Sequence, residues 1–191
     1  MLDGAQDPPG PEPLDAFRAA RRAFLRSQRV DMTSIAEELG VSRVTLYRWV
    51  GNRAALLGEV MARLAIDTAS AERQRTTGTG ADALVSVATH LVQALMAFPP
   101  MQHLLRTEPD FALRVLTTAE GPTAARITEY WTREIDAEIS AGRFAPALPT
   151  ADLAYLIVRL SESFVYKEVI AGEPADPAHV ERVFRMVLRA S

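Results

Sequence analysis

Arg43, Val44 and Thr45 follow one another directly behind Ser42, at the start of a stretch that reads SRVTLYRWV. A guanidinium, a small apolar side chain and a hydroxyl on the first turn of a helix are a set suited to reading base edges. Arginine forks onto the O6 and N7 of guanine, and an apolar side chain meets the methyl of thymine. Ser42 is the residue type that caps such a helix, and residues 43–49 form it. Val44, Leu46, Tyr47 and Val50 cannot all face one core, so part of this helix must meet something outside the chain. Tyr47 and Arg48, with Arg53 beyond them, are spaced to hold phosphates on either side of the base-reading turn.

The elements that must aim these side chains are also written locally. Asp31 caps a first short helix, whose buried stripe is Ile35, Ala36 and Leu39, and Gly40 ends it by taking the left-handed conformation a sharp turn needs. Val41 plugs the angle, and Thr33, near the start of that helix, is with Ser42 a further candidate for DNA contact. Two helices joined so tightly form a helix-turn-helix, the arrangement that lays its second helix in the major groove. A preceding helix over residues 14–28, with Phe17, Ala20, Phe24 and Leu25 on one side, packs over the pair and offers Arg21 or Arg22 to a phosphate. A following helix over residues 53–73 leads away from the head.

Thr33, Ile35 and Ala36, then Gly40-Val41-Ser42, Thr45-Leu46-Tyr47, Asn52-Arg53 and Leu56-Leu57 stand in one register. On these residues the chain resembles the tetracycline-repressor family of ligand-responsive bacterial transcription regulators. That pattern usually has lysine where Arg53 stands, and a histidine or aromatic pair where Arg48-Trp49 stands, so whether Arg48 or Trp49 touches DNA stays open. The resemblance implies a homodimer on a near-palindromic double-stranded DNA operator, a small-molecule effector, and an all-α fold. The proline-, glycine- and acid-rich start has nothing to bury and is expected as a disordered tail (1–13), and a boundary near Val60, within the connecting helix, divides the rest into a helix-turn-helix domain (14–60) and a ligand-binding and dimerisation domain (61–191).

Charge agrees with a DNA-facing head. Residues 14–53 hold eight arginines against four carboxylates, a local balance of +4 in a chain whose net charge is −3, which leaves −7 for the rest. Cysteine is absent, so no disulfide framework or thiolate-based metal site is expected. The start of the chain is acidic and proline-rich and has no secretory pattern. No apolar run approaches the roughly 20 residues that span a bilayer, so a cytoplasmic protein without a membrane partner is expected. There is no metal-ligand pair of histidines, no nucleophile elbow and no glycine-rich phosphate loop, hence no expected catalytic residue, metal or cofactor.

The body reads as helices over residues 81–98, 101–106, 109–118, 123–141, 150–171 and 176–189, without period-two alternation. Large adaptable side chains that could line an effector pocket are Met96, Phe98, Met101, Phe111, Tyr130, Trp131, Phe164 and Tyr166, with His103 and Glu162 as polar groups. Each also fits a core position. The last two helices carry more apolar residues than one neighbour covers, among them Leu156, Leu160, Val180, Phe184 and Val187, and two such pairs would form a four-helix dimer interface. The run LAYLIVRLSESFVYKEVIAGEP is similar to the C-terminal region of the QsdR-like actinobacterial subgroup. That resemblance implies a lactone or related acyl inducer. The expected function is therefore a repressor released by a small, largely apolar compound. The alternatives are an activator with the same head, or a helix-turn-helix that docks on protein, whose binding would lack the steep salt dependence of phosphate contacts.

Overall fold

In the computed structural model, residues 10–117, 122–167, 171–172 and 176–189 are described. Residues 1–9 of the expected tail over 1–13, the break at Gly121 and residues 168–170 of the penultimate helix lie outside them, while the last tail residue, Pro13, already opens the first helix. The described residues form ten helices and no strand: α1 (Pro13–Leu25), α2 (Met32–Glu38), α3 (Arg43–Val50), α4 (Arg53–Arg75), α5 (Gly80–Ala97), α6 (Pro99–Thr107), α7 (Pro109–Thr117), α8 (Thr123–Ser140), α9 (Thr150–Val165) and α10 (Pro177–Val187).

Local chemistry sets the boundaries in the head. Asp31, Ser42 and Asn52 each accept a hydrogen bond from the backbone N–H three residues on, at 2.9, 3.0 and 2.8 Å, so α2, α3 and α4 all start on a side-chain cap. Gly40, at φ +64°, closes α2 with its own N–H donating to Glu37 and that of Val41 to Ala36. The same closure ends α1 at Leu25, earlier than the apolar stripe suggests. There the left-handed residue is Ser27, at φ +55°, with the Gln28 N–H donating to Ala23. Pro99 and Pro100, expected only as a stop, also open α6, because the first turn of a helix needs no N–H from them.

Two cores form. One joins Ala16, Ala20, Phe24, Ile35, Leu46 and Leu57 of the head to Met101, Leu104, Val115 and Leu116 of α6 and α7 and to Tyr166. The other gathers Ala65, Ala69, Leu84, Leu91, Trp131, Ile135, Leu153, Ile157 and Phe184 from α4, α5, α8, α9 and α10. The 23-residue α4, about 34 Å long at 1.5 Å per residue, contributes to both. Contrary to the expectation that no apolar run comes near a bilayer span, the 18-residue α5 is long and apolar enough to cross one by composition. Half of that window is buried inside the fold, so its apolarity serves the second core.

Candidate DNA-binding face and effector cavity

The capped start of α3 presents its first turn outward. Arg43 and Val44 are exposed, Val44 by 79%, while Leu46 is completely buried and anchors the helix on α1 and α4. Thr45 is half-buried, its hydroxyl 2.9 Å from that of Ser42. Tyr47 and Arg48 are exposed on the following turn, and Thr33 is half-buried on α2. Trp49 turns inward: it packs on the first core and lines an open apolar groove with Leu14, Phe17 and Leu56. Between Arg48 and Trp49, the solvent-facing side chain is therefore Arg48.

Four of the eight head arginines are engaged within the chain. Arg18 pairs with Asp15, Arg22 with Glu38, and Arg29 and Arg53 with Glu108. Arg21, Arg26, Arg43 and Arg48 make no ion pair among the described residues. Of the expected pair Arg21 and Arg22, Arg22 is the one paired within the chain, with Glu38.

Arg53, expected at a phosphate, is directed into the protein. Its Nε donates to the Val30 carbonyl at 2.7 Å, its two terminal nitrogens fork onto the Glu108 carboxylate at 2.6 Å each, and its guanidinium lies 4.0 Å over the Phe111 ring. Its side chain is 18% exposed. The Arg53 guanidinium in turn holds the Glu108 carboxyl below the usual carboxylate range. Lysine could not reproduce a planar fork stacked on a ring. One side chain thus ties the α1–α2 turn and the start of α4 to the α6–α7 corner. Glu108, Val30 and Phe111 have no sequence signal marking them as its partners, since they lie far apart along the chain.

A half-open cavity of about 50 Å³ lies among α5, α6, α7, α8 and α9 of the body, lined by Leu91, Leu95, Met101, Leu116, Thr123, Ile127, Val158, Ser161, Glu162, Val165 and Tyr166. Of the expected pocket residues it brings together Met101, Glu162 and Tyr166. The others are used elsewhere. Phe111 lies under Arg53, and Phe98 packs edge-on against Phe24 at 6.0 Å. Tyr130 and Trp131 meet edge-on at 5.5 Å inside the second core. Phe164 packs against His179 and Phe184. Met96 flanks the second core, and His103 lines a separate half-open cleft beside Arg53 and Glu108. The aliphatic lining residues are of the same types as any core residue and carry no signal in sequence, unlike Met101 and Tyr166, which are large and adaptable, and Ser161 and Glu162, which interrupt an apolar helix.

The expected interface residues also divide. Val180 and Phe184 are completely buried within the chain's own second core, a correction to their placement at a dimer face. Leu156, Leu160 and Val187 are half-buried, and the large apolar side chains that α9 and α10 do expose are Tyr155 at 56% and Met186 at 66%.

A capped helix-turn-helix on an all-helical body with an apolar cavity defines the class of helical transcription regulators whose head and effector body share one chain. Residues 79–189 match the family model described as tetracyclin repressor-like, C-terminal domain, and the chain belongs to the tetracycline-repressor family. No curated protein matches. Among solved structures it is similar to the transcriptional repressor QsdR of R. erythropolis, with 24% identity, a TM-score of 0.86, and coverage of 92% of this chain and 93% of that one. It is similar also to the repressor AlkX of a Dietzia strain, implicated in biodegradation of n-alkanes, at 25% identity, TM-score 0.62, and coverage of 98% and 100%. The fatty acid degradation regulator FadR of Bacillus halodurans shares the fold at 17% identity, TM-score 0.55, and coverage of 97% and 100%.

Proposed function

We propose that this chain is a repressor that binds a near-palindromic operator as a homodimer and is released when a small, largely apolar compound enters the body. The observation that carries the reading is the start of α3. Val44 stands 79% exposed between Arg43 and Thr45, with Arg43 and Arg48 making no ion pair among the described residues. An apolar side chain exposed beside unpaired cations on the first turn of a helix suits contact with base edges and phosphates. One such helix reads few base pairs, so two heads on adjacent major grooves supply the affinity.

Release follows from the shared core. Met101, Leu116 and Tyr166 line the cavity and also belong to the core that seats the head. A cavity of about 50 Å³ must widen to take a drug-sized or acyl ligand, so a ligand binds the widened state better and shifts the population away from the DNA-competent one. The apolar lining favours an acyl compound or lactone, and the n-alkane association of AlkX points to the same apolar class.

The test is to incubate the purified protein with sheared genomic DNA of its source, recover what it retains, and sequence it. One enriched near-palindromic site is the expected result. Retention without sequence enrichment, or none even at low salt, would overturn the reading.

A further inference from the structure

A second cleft, half-open and of about 430 Å³, lies where the head meets the body and shares no lining residue with the cavity among α5 to α9. Its walls come from the α1–α2 turn, the start of α4 and one side of α6. The floor is apolar: Phe24, Val30, Leu57 and Leu104 are each at most 6% exposed. The rim is polar and rich in donors. The Ser27 hydroxyl, the Gln28 amide and the His103 ring make no side-chain hydrogen bond among the described residues, so each stands open to an incoming acceptor.

The charges of the lining do not balance. Arg29 and Arg53 face one carboxylate, Glu108, and its two oxygens are spent on the terminal nitrogens of Arg53 at 2.6 Å each. Arg29 comes no nearer to that carboxylate than 3.7 Å, outside hydrogen-bond distance, and its side chain is 69% exposed. A guanidinium with unused N–H groups is thus left at the rim of an apolar floor. We infer that this cleft is a ligand site separate from the body cavity, for a compact organic monoanion: a carboxylate carried on an apolar ring. The carboxylate takes the planar fork of Arg29, with His103 and Ser27 as further donors, and the ring lies on Phe24, Leu57 and Leu104. An ammonium meets a lining whose surplus charge is positive, and a metal ion finds a single carboxylate that is already engaged. An occupant touches the α1–α2 turn and α6 at once, so it ties the head to the body and stabilises the chain by mass action.

The test is calorimetry and thermal shift on the full chain in low-salt buffer, with benzoate, benzamide, benzylamine and inorganic phosphate as probes. Benzoate should raise the melting temperature and bind with a Kd below about 1 mM, a modest demand for a ligand of its size. Benzamide, which lacks the charge, and phosphate, which lacks the apolar body, should bind at least about tenfold more weakly, and benzylamine should not bind. Arg29→Ala changes an exposed side chain, so the free protein should melt nearly as before while benzoate affinity falls by about tenfold or more. Benzamide, benzylamine or phosphate binding as tightly as benzoate would overturn the site. So would an unchanged benzoate affinity in Arg29→Ala, which would put the anion elsewhere on the chain, or no benzoate binding at about 10 mM.

Discussion

Arg43 and Arg53 have the same chemistry and opposite surroundings, and their substitution separates base reading from scaffolding. Arg43 is exposed and makes no ion pair among the described residues, so Arg43→Ala should cost about 1 to 3 kcal/mol on the operator and much less on random duplex, measured by competition binding. Equal losses on both would remove it from base contact. Arg53 is held by Val30, Glu108 and Phe111, so Arg53→Ala should lower stability by about 1 to 3 kcal/mol. It should leave the slope of log affinity against log salt as it was, whereas a slope shallower by about 1 would return Arg53 to a phosphate. The sequence made the charge at this position legible and not its destination. A cation at a helix start looks the same whether its partner is a phosphate or a carboxylate from a distant helix.

Among the elements, the caps and left-handed closures were legible because each is a contract between neighbours in sequence, as at Asp31, Ser42, Asn52 and Gly40. The lock at the end of α8 was not, because its members come from α4, α5 and the loop after α8. Glu138 is 1% exposed. It accepts from Arg143 at 2.8 and 3.0 Å, from the Gly80 N–H at 2.7 Å, and from Arg73. Led by the Arg143 hydrogen bonds, these donors hold its carboxyl down at about 2 against an ordinary value of 4.5. A depressed carboxylate contributes stability that is fully present above its unfolded value and is lost as pH falls through the folded one. The chain should therefore lose about 3 kcal/mol between pH about 5 and 2, and Glu138→Gln should flatten that acid limb in denaturant titrations. Gly80 belongs to the same lock: at φ +62°, a Cβ there would sit 2.3 Å from the Arg143 carbonyl. Gly80→Ala must push the α4–α5 turn off α8, and an unchanged melting temperature would show the lock to be looser than its distances imply.

At the scale of the whole molecule, all-helical architecture was legible from period alone, but period cannot say which apolar stripe faces the chain itself and which faces a second copy. Val180 and Phe184 read as interface and are core, because α10 turns them onto α5 and α9. What the two helices leave outside is Tyr155 and Met186, 56% and 66% exposed, beside half-buried Leu156, Leu160 and Val187. A homodimer through α9 and α10 has to bury these side chains, and a charge placed there opposes association without touching either core. The double variant Tyr155→Glu, Met186→Glu should sediment as a monomer at micromolar concentration where the unaltered chain is a dimer, with its helical content and melting of the monomer preserved. Operator affinity should then fall by about 100-fold or more, the loss of the second head's effective concentration. A dimer that survives both glutamates would move the interface to another face. An unaltered chain that is monomeric would leave each head to bind alone, and the near-palindrome would have no partner to read its second half.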